Sequence, residues 1–176
     1  MAIDRQKTET VHWHAVFTAS RAEKKVRGRL EELGVECFLP VQTVLRQWTY
    51  RKSRVVVPVI AGLVFVRVGR QEQVKVLQTK GVVAFLRLKG EAGAAVIPDK
   101  QMEDFRFLLD FSEEAVEMTN ENIKAGDLVR VVKGSLRGME GELIRHKGVT
   151  KVLVRIDMLG CAMVNIPASF VEKLNK

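Results

Sequence analysis

GDLVRVVKGSLRGMEGEL, residues 126–143, holds two strands and the turn that joins them. Leu128, Val129, Arg130, Val131 and Val132 form a short strand-like run that stops at Lys133-Gly134, and a second apolar run opens at Leu143-Ile144. Between them Gly138 and Gly141 follow Gly134 at spacings of four and three residues, and Gly126 heads the stretch. Glycine takes positive φ without steric cost, so this density of glycines predicts a tightly curled barrel corner, not a flexible tail. Val149–Met158, Cys161–Ile166 and Phe170–Leu174 add strands, about five in all, enough to close a small barrel.

Upstream of this barrel there is too much chain for one small domain. The 176 residues, 47% hydrophobic and 28% charged, fit two globular domains better than one and exclude disorder as the general state. The net charge of +8 is unevenly placed: residues 1–111 carry +7, residues 112–122 carry −4 with no base, and residues 123–176 carry +5. Two basic domains flanking an acidic linker suggest contact with a polyanion or an acidic protein face. The opening MAIDRQKTETV lacks the apolar core of a signal peptide, and no apolar run has the length of a membrane span, so a cytoplasmic protein without membrane contact is expected. Cys37 and Cys161 lie far apart without partners at metal-ligand spacing. His12 and His14 would share a strand face but have no third ligand nearby, so neither a metal nor another cofactor is expected.

His12–Thr18 reads as a strand. Ser20-Arg21-Ala22-Glu23 has the form of a capping box before a helix that runs to about Leu33, with Ala22, Val26, Leu30 and Leu33 as its buried stripe and Gly34 after its end. Val35–Leu45 is extended and bent at Pro40. In Arg46–Arg54, RQWTYRKSR, two aromatics alternate with cations; they stack on bases beside phosphates, or they pack back on the sheet at a hairpin tip, and both readings stand. Val55–Val59 and Leu63–Val68 are strands, Gln71–Gln78 a short helix or turn, and Val82–Leu88 a strand. Pro98 starts a helix to about Phe111 with Met102, Phe105, Leu108 and Leu109 on its core face. This order predicts an α+β fold, a ferredoxin-like α/β sandwich over 1–111, a mobile acidic linker over 112–122 and a small SH3-like β-barrel over 123–176.

The glycine-spaced hairpin resembles the KOW motif of small barrels in transcription elongation factors and some ribosomal proteins. WHAVFTASRAEKKVRGRLEELGVECFLP, PVIAGLVFVRV, TKGVVAFLRLKG and IPDKQMEDF resemble, in order and spacing, the N-terminal domain of NusG-type transcription elongation factors. Within that family the chain is similar to specialised paralogues of the RfaH kind, which serve capsular-polysaccharide operons. It departs from the usual pattern where Trp13-His14 and Ile60-Ala61-Gly62-Leu63 replace more aromatic sequences.

The resemblance implies a monomer without an active site that binds RNA polymerase and acts in antitermination. Val59, Ile60, Leu63 and Phe65 would dock on the clamp helices of the polymerase, and Arg70, Gln71, Glu72 and Gln73 would touch the opposite jaw. Arg21, Lys24, Lys25, Arg29, Arg46, Trp48, Arg51 and Lys52 would meet the non-template DNA strand. Ser135, Leu136 and Arg137, between the turn glycines Gly126, Gly134, Gly138 and Gly141, would recruit a ribosomal protein or the helicase Rho. The strand and glycine signals favour a barrel over a helical state of this domain. A ribosome-binding or structured-RNA-binding protein would also explain the charge and the barrel, but not the N-terminal domain. Asp99, Asp104, Asp110, Asp127 and Asp157 pair with no histidine or nucleophile at a useful spacing, which argues against an enzyme.

Overall fold

The computed structural model describes residues 9–174; residues 1–8, read above for a signal peptide, lie outside the described residues. In chain order the elements are β1 (His12–Thr18), α1 (Glu23–Glu32), β2 (Glu36–Phe38), β3 (Val41–Trp48), β4 (Arg51–Pro58), β5 (Leu63–Val68), α2 (Glu72–Gln78), β6 (Val82–Phe85) and α3 (Asp99–Phe111). After α3 come β7 (Glu117–Thr119), β8 (Asp127–Val131), β9 (Glu140–His146), β10 (Val149–Ile156), β11 (Gly160–Asn165) and β12 (Val171–Lys173). They form two compact units, one of residues up to 39 with 62–96, the other of 40–61 with 97 onward.

In the first unit the sheet order is β2-β5-β1-β6, with every neighbouring pair antiparallel. Numbered among themselves these strands run second, third, first, fourth, the ladder of a ferredoxin-like sandwich, with α1 and α2 as the two crossovers. β5 lies between β1 and β2, and all of its residues except Arg67 are buried. The predicted capping box does not form. α1 starts after Ala22 without a side-chain cap, Arg21 sits in the left-handed region at φ 58°, and the Glu23 carboxylate instead accepts the Gly62 N–H at 2.7 Å. Gly34, at φ 73°, follows the helix as its pattern predicts.

The second unit holds the β3–β4 hairpin, α3 and a six-stranded antiparallel sheet in the order β12-β8-β9-β10-β11-β7. Two glycines set its curl. Gly138 sits at φ 92° where the chain turns back, its N–H donating to Val131, and a Cβ at Gly141 would lie 2.9 Å from the Leu153 carbonyl oxygen. Side chains alternate across the strands. Val129, Val131, Val152, Val154, Ile156 and Val164 fill the inner face, while Ile144, Leu153, Cys161 and Met163 form a buried cluster on the outer one.

Residues 112–122, expected to be a mobile tether, are tied down in part. Glu117–Thr119 is β7, paired with β11 through Met163↔Glu117, Ala162↔Met118 and Cys161↔Thr119. Val116 is buried, its N–H and carbonyl both bonded to the Gln42 amide at 2.9 and 3.2 Å. Backbone groups leaving water need partners, and here side chains and a sheet edge supply them.

Candidate interaction surfaces

From Val41 to Val59 the chain carries Arg46, Arg51, Lys52 and Arg54 and no carboxylate. β3 and β4 pair over their whole length, from Val41↔Pro58 to Trp48↔Arg51, leaving Thr49-Tyr50 as the connection. Directly opposed residues share a face, so the register sorts the predicted contacts. Arg46, Trp48 and Arg51 stand on one face, beside Ser53, whose hydroxyl accepts the Trp48 indole N–H at 3.0 Å. Lys52 stands on the other, with Gln47, Leu45 and Arg54. Tyr50 at the tip is 97% exposed, Leu45 64% and Trp48 52%, so these aromatics do not pack back on a sheet. The tip therefore offers ring faces and cations together, the combination that binds single-stranded nucleic acid.

Arg21, just before α1, and Lys24 and Lys25 on it are exposed, whereas Arg29 donates to the Lys80 carbonyl at 2.6 Å. Arg29 thus fastens α1 to the loop before β6 and has less freedom to reach a phosphate.

The four apolar residues expected on one exposed patch are placed differently. Val59 and Ile60 are half-buried at the neck of the hairpin, where the Val59 N–H donates to Pro40 at 2.8 Å. Leu63 and Phe65 are buried, at 2% and 0% exposure, because β5 is a middle strand covered on both sides. Phe17, which the sequence did not single out, sits opposite Leu63 on β1 and is 42% exposed. Other large apolar residues are at least as exposed, Val83 on β6 among them, so exposure alone does not set Phe17 apart.

Arg70 and Gln71 are exposed at the start of α2, and the Gln71 N–H donates to Glu9 at 2.8 Å. Glu72 and Gln73 are half-buried; the Glu72 carboxylate accepts the Gly69 N–H, and the Gln73 amide lies 3.5 Å from His14 Nε2. His14 is buried on β1 with its Nδ1 donating to Ala95 at 2.8 Å and its ring edge-on to Phe85, and burial holds its pKa below the ordinary imidazole value. Burial likewise pushes the Cys37 thiol up to about 11, which leaves it protonated and unreactive.

In the barrel turn Ser135 and Arg137 are exposed, while Leu136 is buried and packs inward. Gly134 lies at φ 82°, and the Gly126 N–H donates to Glu142 at 3.0 Å. Glu142 is held by Arg155 through two contacts of 2.6 and 2.9 Å, so that hydrogen bonding to the guanidinium keeps its carboxyl below the usual range.

Residues 11–106 match the family model described as transcription termination factor nusG. No curated protein matches the chain. Among solved structures, one titled for domain interaction in Thermotoga maritima NusG is similar at 22% identity and a TM-score of 0.50, covering 94% of this chain and 98% of that one; the likeness is one of fold. The MjSpt4:Spt5 complex in conformation B aligns at 17% identity and a TM-score of 0.31, over 93% of this chain and 97% of that one.

Proposed function

Because this chain belongs to the NusG family, matching its model over more than half its length, and is a transcription elongation factor of that kind, we propose that it binds RNA polymerase and suppresses pausing and termination at particular operons, such as those for surface polysaccharides. The observation that carries this reading is the hairpin tip, where Trp48, Tyr50, Arg46 and Arg51 stand in water with no carboxylate between Val41 and Val59. Phosphate neutralisation and base stacking there would hold the displaced non-template DNA strand, with Arg21, Lys24 and Lys25 adding charge.

Phe17 on β1 offers apolar surface to the polymerase clamp, at about 25 cal/mol per Å² buried, and Val59 and Ile60 at the hairpin neck would make an apolar contact of their own. Leu63, directly opposite Phe17, and Phe65 on the same face of β5 would support it from the neighbouring strand. Arg70 and Gln71 face the opposite jaw, and Ser135 and Arg137 on the barrel turn meet a ribosomal protein or Rho. The protein works by binding, not chemistry: preferring the closed clamp over the paused state shifts the population toward elongation. No described helix is long and apolar enough to cross a membrane.

The test is co-elution of the full chain with core RNA polymerase on a sizing column, at moderate salt so that simple charge attraction is screened. Phe17→Glu should lose co-elution while remaining folded, and the Trp48→Ala/Tyr50→Ala double variant should keep co-elution but lose cross-linking to the non-template strand. A folded full chain that fails to co-elute overturns the reading, and steeply salt-dependent binding to structured RNA in its place would favour the ribosomal alternative.

A further inference from the structure

The acidic segment after α3 behaves like a bound ligand. β7 adds three residues to the β11 edge, and the Glu117 carboxylate lies 2.7 Å from the Lys151 ammonium, whose side chain is only 6% exposed. Six residues on, Ile123 packs against the outer cluster of Ile144, Leu153, Cys161 and Met163, and its carbonyl accepts Arg155 at 3.0 Å. One extended stretch therefore satisfies a sheet edge, a buried lysine and an apolar cluster together.

Each of those features selects for the same kind of occupant. A sheet edge presents backbone donors and acceptors that an extended chain pairs with. A lysine withdrawn from water needs a carboxylate beside it, which discriminates against neutral segments. The apolar cluster takes an aliphatic side chain. Yet the strand it contributes is short, three paired residues with the Glu117 side chain itself 52% exposed, although Val116 just before it is also bonded to Gln42. A ligand tethered in the same chain gains from a high effective concentration and need not bind tightly to stay.

We propose that the outer face of the barrel, from the β11 edge to the Ile144–Leu153 cluster, is a recognition site for an extended acidic segment of a partner protein, and that Glu117–Ile123 occupies it in cis until such a segment displaces it. The partner segment carries a carboxylate for Lys151 and an aliphatic residue about six positions later. The site does not depend on how the chain meets polymerase.

The test uses the full chain and a labelled synthetic peptide of residues 112–124, SEEAVEMTNENIK. A Glu117→Lys/Ile123→Ser variant vacates the site by turning its own strand against Lys151. By fluorescence anisotropy it should bind the peptide at least about tenfold more tightly than the unmodified chain, which lacks only the advantage of an empty site. The peptide with Gln for its Glu117 should lose most of that affinity, and Lys151→Met added to the vacated chain should abolish the preference for Glu. A vacated chain that is folded by circular dichroism but takes no peptide, or takes both peptides equally, overturns the proposal. If that variant does not fold, hydrogen exchange on the unmodified chain decides: Glu117–Thr119 amides exchanging at least about tenfold faster than those between β9 and β10 support a displaceable strand, and equal protection overturns it.

Discussion

Two polar segments of similar character in sequence meet opposite fates. The hairpin of Val41–Pro58 and the stretch Ser112–Asn122 are each charged with a single sign, yet the hairpin holds its aromatics in water while the acidic stretch is hydrogen-bonded to a sheet edge and buries Val116. The difference is where the backbone bonds go. β3 and β4 satisfy one another, so their outer surface needs no cover; the acidic stretch is too short to pair with itself and takes its partners from β11 and Gln42. Charge alone therefore does not show which segment stays in solvent.

The sharpest way to break this contrast is a pair of truncations. Leu153→Ala, under the acidic stretch, should lower stability by about 3 kcal/mol through the cavity it leaves, whereas Leu45→Ala on the hairpin should change it by less than about 0.5 kcal/mol; urea unfolding measures both. Equal losses would mean that the hairpin is packed in solution. Next, Arg155→Ala removes the guanidinium that ties Glu142 and Ile123 together and should cost about 2 kcal/mol.

A pH titration separates the two units. The His14 pKa is held below its ordinary 6.5 in the folded chain, so the unfolded chain binds the proton more readily. The stability this gives the first unit is complete above about pH 6.5 and falls as pH drops toward the lowered folded value, by at most about 1.4 kcal/mol per pH unit. Glu142 is lowered from 4.5, so its contribution to the barrel survives until pH falls below that value and disappears as pH passes through the folded pKa. Between pH 7.5 and 5.5 denaturant unfolding followed by Trp13 fluorescence in a Trp48→Phe background should weaken, while Arg155→Ala should cost the same at both. A smaller loss is expected of Gln42→Ala, about 1 kcal/mol for two hydrogen bonds to the Val116 backbone, visible as faster proteolysis within 112–122.

The barrel strands and the hairpin were legible in the sequence because glycine spacing and alternation are local signals. Three features were not. Glu23 reads as a capping residue because its partner at Gly62 is distant in sequence. Leu63 and Phe65 were assigned to a docking patch by the resemblance, and nothing local in LVFVRV shows that a strand between β1 and β2 is covered on both faces. The acidic stretch reads as solvated because Lys151 and Gln42, which hold it, lie tens of residues away.

The chain leaves the first sheet at Phe38 and returns to it at Leu63, and Phe38 pairs with Phe65 on the strand that receives it. The hairpin is thus an insertion whose two roots are anchored in adjacent strands and whose neck is closed between Pro40 and Val59. Its tip, Arg46–Arg54, lies outside the ladder of the first sheet, whereas Gln42 near its root also holds the Val116 backbone. On the proposed reading, exchanging this hairpin tip for a relative's would exchange the nucleic-acid contact and leave the ladder of the first sheet as it is.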